Sequence, residues 1–164
     1  MRNRTKSRII LVGKAASGKD HLRQILEGRG FKYGVSYTTR PPRIGEVDGR
    51  DYYFIEESEF QDLIEQNFFY EHVSFNGWSY GTSKEQWNET DDVFIMTPSG
   101  VSKLKPADRK HSFIIYIDIP VEIRRERLQM RNDNNDAIDR RIEADENDFK
   151  HFTDFDIKLT DHNF

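Results

Sequence analysis

The 164-residue sequence has no cysteine, which excludes disulfide cross-links and thiolate zinc sites and fits a reducing, cytoplasmic setting. It has no apolar run near the ~20 residues of a membrane helix, so no membrane partner is expected. Behind the basic start MRNRTKS, the run Ile9 to Val12 is too short for the core of a signal peptide. It also has no excess of positive charge. Lysine and arginine number 25 against 29 acidic residues, a net charge of −4, which argues against a duplex-coating surface and against nucleic acid as a partner. Any bound anion must therefore be held by a local cluster. No repeat, linker or low-complexity stretch divides the chain. What the sequence does have is 12 Phe, 7 Tyr and 2 Trp, enough apolar bulk to offset its few aliphatics and support one ordered domain.

Short apolar runs alternate with helical patterns. The runs Ile9–Val12, Val93–Met96, Phe113–Asp118 and Ile157–Leu159 lack polar alternation, as do strands buried on both faces of a parallel sheet. Helices are expected over Lys19–Arg29, Glu59–Gln66, Val121–Arg131 and Ile138–His151. Ser58 with Gln61 reads as a capping box for the second, and Pro120 suits the start of the third. Asn76-Gly77 between aromatic runs signals a hairpin. The fold class that follows is α/β, a parallel core sheet between helices, with a smaller, partly antiparallel insertion between its first and second strands.

Residues 13–20 read GKAASGKD, after one of these strands and before a helix. This is the P-loop spacing in the context that gives it meaning. Gly13 and Gly18 let successive amides of Lys14, Ala15, Ala16 and Ser17 turn inward toward a polyphosphate. The start of the helix favours the same anion, and Lys19 reaches its outer phosphates. The pattern usually has Ser or Thr after the lysine as a Mg²⁺ ligand; Asp20 stands there, a hard oxygen donor that could hold the ion directly or through water. His21 reads as a surface or packing residue. A second anion site is suggested by Arg40 and Arg43, separated by Pro41-Pro42 and accompanied by Ser36 and Tyr52. Two preset guanidinium forks suit a terminal phosphate; the same spacing also fits a proline-stiffened surface loop with ordinary salt bridges.

Four segments in order, GKAASGKD, VSYTTRPPRIGEVDGRDYYF, FFYEHVSFNGWSYGTS and RLQMRNDNNDAIDRRI, resemble the guanylate kinases across nearly all of residues 8–161. The resemblance implies a P-loop NTPase fold, three-layer α/β/α, with a monophosphate-binding insertion and an arginine-bearing lid. It implies phosphorylation of GMP or dGMP by ATP with Mg²⁺, and nucleotides as partners of a monomer or homodimer. Carried over by position, the residues that grip the acceptor phosphate are Ser36, Arg40, Arg43, Tyr52 and Tyr80. Those that read guanine are Glu71 and Thr82, and a carboxylate accepting from N1–H and the 2-amino group together suits that base. Arg131 and Arg141 fall at the lid positions and, with Lys19 and Arg43, would balance charge in the transition state. The other arginines of this stretch, Arg124, Arg125, Arg127 and Arg140, read as solvent-facing or paired with Glu122, Glu126 and Asp139. Asn132 to Asp136 reads as a hinge or lid tip. The expected division is a core of about 8–35, 90–125 and 142–164, an acceptor region of about 36–89 and a lid of about 126–141.

The family pattern breaks in two places. The Asp-x-Asp pair that guanylate kinases carry after their next core strand is Ile95 and Thr97 here. Thr97 could keep one hydrogen bond to the base or simply end its strand, and Asp20 is expected to offset the lost carboxylate. FDIKLTDHNF stands where the family continues into a final helix, so a flank of the sheet is expected to be exposed or covered by a partner subunit. Three other readings remain open: a ribose 1,5-bisphosphate kinase, a broader deoxynucleoside monophosphate kinase, and a non-enzymatic phosphopeptide-binding module.

Overall fold

The computed structural model describes residues 7–88, 92–131 and 135–164; most of the expected hinge segment Asn132–Asp136 lies outside them. The chain begins with strand β1 (Arg8–Gly13) and helix α1 (Lys19–Gly28). It then enters the insertion: β2 (Tyr37–Thr38), β3 (Tyr53–Phe54), α2 (Glu57–Glu65), β4 (Phe69–Phe75), β5 (Trp78–Ser83) and α3 (Lys84–Asn88). It returns to the core with β6 (Val93–Ile95), the short helices α4 (Pro98–Ser102) and α5 (Pro106–Lys110), and β7 (Ser112–Ile117). Helices α6 (Val121–Met130) and α7 (Asn135–Phe149) follow, and β8 (Ile157–Leu159) closes the sheet.

The core sheet has the order β6-β1-β7-β8, parallel throughout. Its middle strand β1 carries Ile10, Leu11 and Val12 with no exposed surface, the both-face burial its unbroken apolar run implies. One face, formed by Ile10, Val12, Phe94, Ile114 and Tyr116, packs on Trp87 of α3 and Phe149 of α7. Helix α1 packs against β1 and β6. Burial fades toward the β8 side, where Phe113 and Ile157 stay almost half exposed, so the bare apolar run of β8 marks an edge and not a doubly buried strand.

The insertion forms its own sheet, β3-β2-β5-β4, with β2 and β3 parallel and the other pairs antiparallel. Asn76 and Gly77 both have positive φ, 51° and 80°, as a tight two-residue hairpin needs to match strand twist. An irregularity between Phe69 and Glu71 sets Glu71 opposite Thr82 and Val73 opposite Tyr80.

Three expectations are corrected. Helix α2 starts at Glu57, not two residues later, and its cap Glu56 makes no side-chain bond. Ser58 and Gln61 form no capping box; Gln61 Nε2 donates to Glu57 Oε1 at 2.7 Å. Arg124 is not solvent-facing but 1% exposed, donating to the Ile119 carbonyl at 3.1 Å and lying 3.7 Å from Asp145. Among the described residues no helix is long and apolar enough to cross a membrane.

Candidate active site

One cleft of about 500 Å³ opens where the carboxyl ends of β1 and β6 meet the insertion. The turn between β1 and α1 forms one wall. A Cβ at Gly13 would lie 2.4 Å from Ser17 Oγ and 3.0 Å from the Ile117 carbonyl, so only glycine lets the loop curl this tightly. Gly18, with φ 99°, starts α1 without a side-chain cap, leaving the first helical amides to an anion. Lys19 Nζ folds back to the carbonyls of Gly13 and Lys14. Burial pulls its ammonium down to about 8; Asp145 and Asp20 act upward, while Arg43 and Arg131 push further down.

Helices α6 and α7 brace this loop. Asp145, 3% exposed, accepts from the Ala15 amide at 2.9 Å. Lys14 does not face the cleft and pairs with Glu146 at 3.1 Å. Arg127 donates to the Ala16 carbonyl at 3.0 Å and to that of His162 at 3.1 Å. The Phe164 ring covers Gly18, where an added Cβ would approach it to 2.9 Å, and lies 5.8 Å from the exposed His21 ring.

The opposite wall is basic. Arg40, 6% exposed, donates both prongs of its fork to Glu46 at 2.8 and 3.0 Å and lies 5.3 Å from the Tyr52 ring. Glu46 also accepts from the Arg43 amide at 2.6 Å. Its carboxyl is held below the usual range by these partners against the cost of burial. Arg43 is lowered first by burial and then by Arg40, Arg141 and Arg131. Ser36, 4% exposed, lines the same wall with its hydroxyl unpaired. Arg131 lines the cleft; Arg141 does not, although its charge is felt at Arg43.

The floor comes from the pleat of β4 and β5, which turns Glu71, Val73, Phe75 and Tyr80 into the cleft beside Ile95 and Thr97. Glu71 is 7% exposed and its Oε1 accepts from the Thr82 hydroxyl at 2.7 Å. Burial raises its carboxyl, opposed by Thr82 and Lys103. Thr82 therefore sits behind Glu71, outside the cleft lining. Thr97 Oγ1 caps α4 by accepting from the Gly100 amide at 3.0 Å, which leaves its O–H to donate.

Sequence reasoning missed Glu46, Arg127, Asp145, Asp148, His162 and Phe164, all of which line the cleft except Glu46, which stands behind Arg40. Arg127 lies one helical turn before Arg131, a signal that both arginines share a face. The Asp145–Ala15 contact spans 130 residues, and no local pattern announces it.

The family model for guanylate kinases matches residues 5–164. The chain belongs to the guanylate kinase family. It is 33% identical over 164 residues to the guanylate kinase of Rickettsia felis, covering 95% of this chain and 85% of that one. It is equally similar to the guanylate kinase of Nostoc sp., with 82% of that chain covered, and 33% identical over 160 residues to that of Wolinella succinogenes, with 74% covered. The crystal structure of guanylate kinase from Anaplasma phagocytophilum superimposes with a TM-score of 0.72 at 23% identity, over 95% of this chain and 77% of that one. The guanylate kinase fold, an α/β parallel core with a separate mixed sheet, is thus shared.

Proposed function

We propose that the protein transfers the γ-phosphoryl group of ATP to GMP or dGMP, giving the nucleoside diphosphate and ADP. One observation carries the reading: Lys19 of the P-loop and Arg43 of the insertion line the same cleft, near enough that the charge of Arg43 opposes that of Lys19. A cleft lined by several cations focuses their field and draws in polyanions. Two phosphate sites therefore face each other, as in-line transfer requires.

The P-loop from Gly13 to Lys19 cradles the donor with the amides that Asp145 and the Lys14 carbonyl do not already take. Ser36, Arg40, Arg43, Tyr52 and Tyr80 hold the acceptor phosphate, with Arg40 leaving Glu46 or sharing it. Glu71, with one oxygen free of Thr82, accepts from the N1–H and 2-amino donors of guanine, and Thr97, whose O–H the Gly100 contact leaves free, keeps one hydrogen bond to the base. Lys19, Arg43, Arg131 and Arg141 supply positive charge as negative charge spreads over the transferring group. Residues 8–35, 90–125 and 142–164 serve as core, 36–89 as acceptor region and 126–141 as lid. One chain supplies every one of these groups, so transfer needs no partner subunit.

Among the described residues no cluster of three or more metal-ligating side chains is present. That donor set still fits Mg²⁺, which is commonly carried by substrate phosphates, waters and one or two carboxylates. Asp20 lines the cleft beside the P-loop, and Asp148 brings a buried carboxylate oxygen without a hydrogen-bond partner to the same cleft. The ion would neutralise charge between the donor phosphates. Asp20→Ser is expected to lower turnover about 10-fold at limiting Mg²⁺ and little at saturation; higher activity in a Mg²⁺ titration would remove Asp20 from metal binding.

The function is tested by coupled ADP release with GMP, dGMP, AMP and ribose 1,5-bisphosphate. Turnover with the guanine nucleotides is expected. Turnover with the sugar alone, or phosphopeptide binding without Mg-ATP binding, would overturn the reading.

A further inference from the structure

Arg23 of α1 is 2% exposed, carries a full charge and does not line the cleft. Burying a guanidinium is costly unless its partners are well placed, and those of Arg23 come from separate segments. One terminal nitrogen meets Asp51 Oδ1 at 2.9 Å and the other meets Glu27 Oε2 at 2.9 Å. Its Nε lies 3.6 Å from Asp20 Oδ1 without a hydrogen bond. Its plane covers the Tyr33 ring at 4.6 Å, and the Tyr33 hydroxyl donates to the Asp51 carbonyl at 3.1 Å.

Asp51 is itself 7% exposed and is divided between two structures. While Oδ1 takes Arg23, Oδ2 accepts from the Val47 amide at 2.8 Å and from Arg50 at 2.9 and 3.1 Å. The next residue, Tyr52, forms part of the cleft wall, its ring 5.3 Å from the Arg40 guanidinium and 6.2 Å from the Tyr80 ring. Arg23 stands one helical turn after Lys19 on the same helix. The contact Arg23–Asp51 therefore ties the helix that starts at the donor loop to the segment that carries the acceptor wall.

We propose that Arg23 is a positioning residue, whose fork fixes the acceptor loop through Asp51 against the helix bearing Lys19 and so sets the alignment of the two phosphates. This rests on the kinase reading given above. Alignment is where such a tie acts most strongly, because an error near 1 Å between reacting groups costs roughly 100-fold in rate. Each nucleotide is gripped by groups within its own wall, so affinity for either alone does not depend on the tie. A lysine at 23 keeps the charge but not the planar fork that meets Asp51 and Glu27 while lying on Tyr33.

The test is steady-state kinetics of Arg23→Lys, Asp51→Asn and the double variant, with thermal melts of each. Arg23→Lys is expected to lower kcat about 10- to 100-fold with both KM values within about 3-fold of wild type. The double variant should lose no more than the worse single one, since both break one tie. If Arg23→Lys melts below the assay temperature, Asp51→Asn carries the same expectation. Wild-type kcat in the folded single variants, a loss confined to KM, or additive losses would overturn the proposal alone. A wild-type protein that bound GMP and ATP without transfer would overturn the kinase reading, and this inference with it.

Discussion

Lys19→Ala is expected to reduce kcat about 1,000-fold while leaving GMP affinity within about 3-fold. The lysine stands on the donor wall, and its charge acts on oxygens that become more negative as the phosphoryl group leaves. Its burial gives the prediction a second readout. Burial costs the Lys19 ammonium more than Asp145 and Asp20 return, so removing it relieves a desolvation cost and the variant should melt no lower than wild type. Loss of turnover then cannot be put down to loss of fold. Calorimetric titration with GMP and with ATP separates the cases: lost GMP binding with ATP binding retained would contradict the assignment of the two walls.

Glu71→Gln is expected to raise KM for GMP roughly 100-fold with KM for ATP unchanged. The reason is directional. The Thr82 hydroxyl already donates to Oε1 at 2.7 Å, and a glutamine would meet that donor with its carbonyl. The amide NH₂ would then face the guanine donors. Turning the amide over would aim its NH₂ at the Thr82 hydroxyl and give up the charge-assisted bond that Thr82 now makes to the carboxylate. Donor facing donor in a buried site forfeits both bonds. An unchanged preference for GMP over AMP, measured by competition, would take Glu71 out of the base pocket.

The elements that hold these residues were legible where local chemistry decides the backbone. GKAASGKD after an apolar run gave the tight loop between β1 and α1, and Asn76-Gly77 the hairpin that turns Glu71 and Tyr80 inward. The short helices α4 and α5 went unread although Pro98 and Pro106 open them, since five-residue helices leave no period to detect. Arg124 misled for a different reason. An arginine-rich helix reads as a wet surface, and nothing local reveals that Asp145, 21 residues later, is folded against it. The absence of the Asp pair at Ile95 and Thr97 was plain in the sequence. That Thr97 caps a helix was not, because the cap depends on the chain turning sharply at Pro98.

The bracing of the P-loop by α7 limits how far Arg141 can move with its helix. Asp145 and Glu146 pin that helix to Ala15 and Lys14, and Arg141 stands one turn away, about 6 Å along the axis. With the pivot so near, tilting the helix by some 20° would carry the Arg141 backbone only about 2 Å. The lever is too short to deliver a guanidinium by swinging. On the proposed reading Arg141 would reach the transferring group by extending its side chain, over a loop that Asp145 holds in shape.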